Sequence, residues 1–126
     1  VATETPAPIL VVDDDWQTRR LLRWALEEEG FLVETAADGG QALELARRTR
    51  PALVVLDMRL PVMDGAAVAG GLRAAHGAPP PIVLITGDDR PAELASRVGA
   101  YAHLSKPFDL DDLIATVRRG LDAPPG

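Results

Sequence analysis

The sequence predicts an α/β fold: a doubly wound five-stranded parallel sheet in the strand order 2-1-3-4-5, with helices on both faces. Three observations lead there. Five short apolar runs alternate with five stretches of helical period, the pattern of parallel strands joined by crossover helices. The first, third and fourth runs are almost continuously apolar, as strands buried on both faces are, whereas the second and fifth are shorter or broken by polar residues and suit sheet edges. Polar residues with chemistry to offer follow the first, third, fourth and fifth runs but not the second, which suits a reversal of strand order between the first and third.

The first strand, Ile9 to Val12, runs into Asp13-Asp14-Asp15. The helix expected over Trp16 to Glu29 carries Leu21, Leu22, Ala25 and Leu26 on one stripe and stops at Gly30, which readily takes a left-handed cap. Trp24 falls off that stripe, and Trp16 lies just past the acidic run. The second strand is Leu32 to Ala36, and the helix after Asp38 turns Ala42, Leu43 and Ala46 inward. The third strand, Ala52 to Leu56, leads to Asp57. Helical period is weaker over Gly65 to Ala75, because Gly70 and Gly71 each cost about 1 kcal/mol relative to Ala, and an irregular segment is expected there. Ala78-Pro79-Pro80-Pro81 makes a stiff loop before the fourth strand, Ile82 to Thr86. A helix after Pro91 buries Leu94, Ala95 and Val98, and the fifth strand is Ala100 to Leu104. The last helix, begun by Asp109, shows core spacing at Leu110, Leu113, Ile114, Val117 and Leu121.

A chain of 126 residues suits one domain, read as a tail over 1–8, a domain over 9–121 and a tail or linker over 122–126. The first residue, Val1, and the closing Ala-Pro-Pro-Gly suit a piece of a longer protein as well as a stand-alone chain. With 47% apolar and 25% charged residues the composition is that of a packed domain, not a disordered one. A net charge of −6 argues against direct nucleic-acid binding, which needs clustered Lys and Arg. The absence of cysteine removes disulfides and thiolate metal sites, and neither a membrane-length apolar run nor a signal-peptide start is found. A cytoplasmic protein without membrane contact is expected.

In a parallel sheet all carboxyl ends lie on one edge, and ligands bind there at the switch point. That edge collects Asp13 and Asp14 after the first strand, Asp57 after the third, Thr86 at the end of the fourth and Lys106 past the fifth. Crowded carboxylates repel, so either their pKa values rise or a cation compensates them. An all-oxygen set with room for water suits Mg²⁺. A carboxylate beside such an ion can act as a nucleophile toward phosphorus, with Thr86 as hydroxyl donor, Lys106 as point charge, and Gly87 leaving space for the phosphoryl group. An acidic run after a strand is also an ordinary helix cap, the better reading for Asp15.

Four segments in order, Ile9-Leu10-Val11-Val12-Asp13-Asp14, Leu56-Asp57-Met58-Arg59-Leu60-Pro61-Val62-Met63-Asp64-Gly65, Ile85-Thr86-Gly87 and Ser105-Lys106-Pro107-Phe108, resemble the receiver domains of response regulators. The resemblance covers about Ile9 to Leu121 and is similar to CheY-like, flavodoxin-like proteins. It implies that Asp57 is the phosphoacceptor; that Asp14, Asp57 and the carbonyl of Arg59 hold Mg²⁺, with Asp13 acting through water; and that Thr86 and Lys106 sense the phosphoryl group. It also implies a cis peptide between Lys106 and Pro107 that would aim the lysine inward. The partner would be a histidine kinase or a histidine phosphotransfer protein, and the chain would be no enzyme beyond catalysing its own phosphoryl transfer and autodephosphorylation.

Two positions depart from the resemblance or lie outside it. His103 stands where many receivers carry a Tyr or Phe that turns inward on phosphorylation; it either rotates with Thr86 or stays exposed. Tyr101, two residues earlier, is expected on the same strand face. Arg59 is expected to pair with Asp88 across the pocket mouth and to alter the rate of phosphoryl loss in a direction that the sequence leaves open. Trp16 and Trp24 are candidates for kinase docking, and the last helix, with Val117-Arg118-Arg119, could support a homodimer. The competing functions are a degenerate receiver that only binds partners, a flavin or nucleotide binder, which lacks its Gly-rich phosphate cradle here, and an Asp-nucleophile phosphatase, whose second acid is missing from Asp57-Met58-Arg59. The output partner is not legible.

Overall fold

A computed structural model describes residues 7–122, so most of the two expected tails, residues 1–6 and 123–126, lies outside the described residues. The strands are β1 (Ile9–Val12), β2 (Val33–Ala36), β3 (Leu53–Asp57), β4 (Ile82–Thr86) and β5 (Ala102–Ser105). The helices are α1 (Trp16–Glu28), α2 (Gly39–Thr49), α3 (Gly65–His76), α4 (Pro91–Val98) and α5 (Leu110–Asp122). All strands pair in parallel, in the order β2-β1-β3-β4-β5. The apolar runs read as central are the central strands, and β1, β3 and β4 are buried along their whole length.

Alternation along the strands divides the core in two. Leu10, Val12, Leu56 and Leu84 face α2, α3 and α4, meeting Ala42, Val68, Leu72 and Val98. Ile9, Val11, Val55 and Ile85 face the other way, onto Leu22 and Leu26 of α1 and Leu113 and Val117 of α5. Each such side chain, once fully buried, stabilises the fold by about 1.5–3 kcal/mol. The sheet, with the carboxyl edge that its strands share, is thus packed on both faces.

Acidic caps start several helices. Asp38 Oδ1 accepts the Gln41 amide at 2.8 Å and Asp64 Oδ1 the Ala67 amide at 3.0 Å, each satisfying a donor that the helix leaves free. The backbone carbonyl of Asp109 accepts the Leu113 amide at 3.1 Å as α5 begins. α1 closes at Gly30 (φ 91°), whose amide donates to the Glu27 carbonyl at 2.9 Å.

Four expectations need correction. The Gly65 to Ala75 stretch is a regular helix, not an irregular segment. A β-carbon at Gly71 would lie 2.7 Å from Leu43 Cδ2, so the glycine that weakens the helix locally lets α2 and α3 approach closely. Leu21 is 48% exposed, because the core takes only the narrower stripe of Leu22, Ala25 and Leu26. β5 starts at Ala102 instead of Ala100, since the Ala100 amide is spent on the Ala95 carbonyl (2.9 Å) in closing α4 at Gly99. Tyr101 therefore precedes the strand and does not share a face with His103. It turns onto α5, where its hydroxyl donates to the Thr116 carbonyl at 2.6 Å and its ring lies against Gly120. Among the described residues no helix is long and apolar enough to cross a membrane.

Candidate functional site

β1 and β3 are neighbours that end side by side, Val12 pairing with Leu56, so the residues that follow, Asp13 and Asp57, project from adjacent strand ends. Asp13, Asp14 and Asp57 each bring a carboxylate oxygen within 4.8 Å of the others. Asp13 is fully buried, Asp57 nearly so at 5% exposure, and Asp14 is open to solvent.

The buried pair is tied down. Asp13 Oδ1 accepts the Asp15 amide at 2.9 Å, and its Oδ2 accepts from Lys106 Nζ at 3.1 Å. Asp57 Oδ1 accepts the Arg59 amide at 3.2 Å, and its Oδ2 accepts from the same ammonium at 3.2 Å. One Lys106 charge thus serves two carboxylates. The lysine is held at its own backbone, where its amide donates to the Thr86 carbonyl at 2.8 Å, and the Lys106–Pro107 peptide is cis. Thr86 is buried at the end of β4, and its hydroxyl oxygen accepts the Asp88 amide at 3.0 Å; among the described residues its hydroxyl hydrogen meets no acceptor and can still donate.

Electrostatics set these groups against each other. Burial, reinforced by the Asp13 charge, pushes the Asp57 carboxyl up against the opposing pull of Lys106 and the Arg59 amide. Burial alone would lower the Lys106 ammonium, but hydrogen bonding to Asp13 and the charge of Asp57 outweigh it and hold the group up. The donor set is all oxygen, buried on one side and open through Asp14 on the other. It fits a hard divalent cation that keeps some of its water, as Mg²⁺ does.

The neighbouring positions divide. Asp15 is a helix cap, accepting the Thr18 hydroxyl at 2.6 Å and the Gln17 amide at 3.3 Å, which lowers its carboxyl. The Arg59 guanidinium reaches Asp88 Oδ2 at 3.8 Å across the pocket mouth. A β-carbon at Gly87 would meet nothing within 4 Å, so no packing demand calls for glycine there. His103 is exposed on β5, opposite Leu84 in the register, and is directed away from the α5 side that Leu104 faces. Trp16 and Trp24 are also exposed. Sequence reasoning missed Arg19, whose Nη1 donates to the Asp13 carbonyl at 2.7 Å; a long cation one turn into the helix that follows an acidic loop was its signal. It also missed Val62, a β-branched residue at φ 69° in the loop after Asp57, where a left-handed backbone is costly.

Comparison with known proteins agrees with this geometry. The family model for the response regulator receiver domain matches residues 9–118. Response regulator MprA of Mycobacterium sp. (strain KMS) is 43% identical over 115 residues, covering 90% of this chain and 50% of the relative. Transcriptional regulatory protein PrrA of Mycobacterium tuberculosis (strain ATCC 25618 / H37Rv) is 43% identical over 117 residues, 90% of this chain and 49% of the relative. The chain thus spans about half the length of the curated relatives it matches. Among solved structures, the receiver domain of NtrX from Brucella abortus superposes with a TM-score of 0.84 at 37% identity over 92% of this chain and 99% of that one. Chemotaxis protein CheY4 of Vibrio cholerae does so with a TM-score of 0.83 at 33% identity over 93% and 100%.

Proposed function

The chain belongs to the response regulator receiver domain family of two-component signalling, and on that premise we propose that it is a working phosphoacceptor with Asp57 as the acceptor. The observation that carries the reading is the shared ammonium of Lys106, 3.2 Å from Asp57 Oδ2 and 3.1 Å from Asp13 Oδ2, within a cluster of three carboxylates.

The donor is a phosphohistidine of a histidine kinase or histidine phosphotransfer protein. A carboxylate oxygen of Asp57 attacks phosphorus, an acyl phosphate O–P bond forms, and the P–N bond to imidazole breaks, the leaving nitrogen taking up a proton. Lys106 and the free hydroxyl hydrogen of Thr86 bind two phosphoryl oxygens; the ammonium is already in place and the hydroxyl is oriented by the Asp88 amide. Asp14, Asp57 and the Arg59 carbonyl would hold Mg²⁺, with Asp13 acting through water. When bound, the ion supplies charge compensation for the transferring group. The chain's catalysis extends only to its own phosphorylation and dephosphorylation.

Phosphorylation shifts a pre-existing equilibrium at the α4 and β5 surface, and the output partner reads that surface. The donor must present its imidazole at the Asp57 edge; the exposed Trp16 opens α1 directly after Asp15, and the exposed Leu21 shares a surface groove with Lys106 and Pro107, which supports docking of the kinase along α1. A cytoplasmic setting accompanies such a donor. The complete pocket disfavours a degenerate receiver.

Intact-mass spectrometry after incubation with acetyl phosphate and Mg²⁺ tests the proposal. One phosphoryl adduct is expected, lost with EDTA and lost in Asp57→Ala. A folded protein that gains no adduct from acetyl phosphate or from a kinase would overturn it.

A further inference from the structure

We propose that Arg19 is a positioning residue of the acidic pocket: by holding the Asp13 carbonyl it orients the peptide that carries Asp14, and so strengthens Mg²⁺ binding. This rests on the phosphoacceptor reading above.

Asp13 is held independently of Arg19. Its two carboxylate oxygens accept from Asp15 and Lys106, and its amide donates to the Ala36 carbonyl at 3.1 Å. Asp14 differs, because it is exposed and its carboxylate makes no hydrogen bond or ion pair among the described residues. Its direction follows from the peptide planes on either side. Asp15, which supplies the later plane, is fixed as the cap of α1. The earlier plane is the Asp13–Asp14 peptide, and among the described residues the side chain bonded to its carbonyl is that of Arg19, at 2.7 Å. Arg19 stands on a rigid support, since Leu22 and Leu26 of the same helix are fully buried against the sheet. A guanidinium offers several donors in a planar fork, which suits it to grip a carbonyl at the end of a long reach.

The charge and the geometry of Arg19 push metal affinity in opposite directions. A cation near three carboxylates repels an incoming dication, so its removal by electrostatics alone would tighten binding. Loss of an orienting contact would weaken binding, and second-layer contacts around metal ligands are typically worth about 10–100-fold in affinity. The sign of the change therefore separates the two effects.

The experiment is a Mg²⁺ titration of the whole chain without phosphodonor, read by tryptophan fluorescence and by calorimetry, on the parent, Arg19→Gln, Arg19→Lys and Arg20→Gln. Arg20 is the adjacent exposed cation, with no hydrogen bond or ion pair among the described residues, and its loss makes the same change in net charge. Arg19→Gln is expected to weaken Mg²⁺ binding about tenfold or more, Arg19→Lys to fall between it and the parent, and Arg20→Gln to match or slightly exceed the parent. Circular dichroism without metal checks folding; should Arg19→Gln fail to fold, Arg19→Lys carries the comparison against Arg20→Gln. Unchanged or tighter binding in the folded Arg19 variants overturns the positioning role while leaving the phosphoacceptor reading intact. A folded parent that binds no Mg²⁺ overturns both.

Discussion

Lys106 Nζ sits 3.2 Å from Asp57 Oδ2, and yet the Asp57 carboxyl is held above its ordinary range, because burial and the Asp13 charge outweigh the ammonium. An ion pair alone would have depressed it. The pocket is therefore under electrostatic strain, of the kind that a divalent cation among the three carboxylates would relieve.

That strain has a pH signature. A carboxyl whose pKa is raised in the fold favours the folded state only while protonated; its contribution is lost as pH rises from the ordinary 3.8 through the higher folded value. At neutral pH without metal, Asp57→Asn is expected to be more stable than the parent, with the difference shrinking as pH falls toward 3.8. Mg²⁺ at ~100 times its dissociation constant is expected to stabilise the parent by about 2.7 kcal/mol and to remove or invert the gap. Urea unfolding across pH, with and without Mg²⁺, measures this; a parent more stable than Asp57→Asn at neutral pH without metal would refute it.

The Arg59 and Asp88 side chains meet at 3.8 Å over the pocket mouth, with Arg59 itself 80% exposed. Were Asp57 phosphorylated, a bridge there would stand in the way of the attacking water. Arg59→Ala is expected to shorten the phosphoryl lifetime a few-fold, and Asp88→Ala to do so less. Decay of the adduct followed by mass spectrometry decides it, with equal lifetimes counting against any gating.

Adjacent glycines in α3 should respond oppositely. A β-carbon at Gly70 meets open space, so Gly70→Ala gains helix propensity and about 0.5–1 kcal/mol. At Gly71 the same atom would lie 2.7 Å and 2.8 Å from the two methyls of half-buried Leu43, which must shift, so overpacking of about 1–3 kcal/mol is expected to offset the helix gain of about 1 kcal/mol and leave Gly71→Ala a net loss. Chemical denaturation of the two variants would show the opposite signs, and stabilisation by both would mean that α2 yields readily.

Tyr101 is the chain's one tyrosine, so its ionisation can be followed by absorbance without assignment. Burial pushes its hydroxyl up to about 12 against the opposing effect of Arg119. Its folded value exceeds the ordinary 10.0, so its stabilising contribution is intact below pH 10.0 and lost as pH rises toward about 12. Tyr101→Phe should remove that part of the alkaline loss of stability, along with the hydrogen bond to Thr116, worth roughly 0.5–1.5 kcal/mol. A tyrosine titrating near 10 would contradict the contact.

The layer architecture, the strand order and the convergence of Asp13, Asp14, Asp57, Thr86 and Lys106 on one edge were legible because they depend on periodicity and on which apolar runs are continuous. Parallel strands place their ends together whatever the side chains between them. What the linear sequence left undecided were contacts between segments distant along the chain or between side chains and backbone. The Gly71 position reads as a helix breaker until Leu43 of another helix is placed beside it. Tyr101 reads as a strand residue until Ala100 is seen to close α4 and α5 offers the Thr116 carbonyl. Arg19 reads as one of three arginines on a helix until the end of β1 turns the Asp13 carbonyl toward it. Local pattern determined which elements form and which edge gathers the acidic residues; only packing in three dimensions decided which side chains hold that edge in shape, because a hydrogen bond of 2.7 Å is specified by the placement of two packed elements and not by the spacing within either.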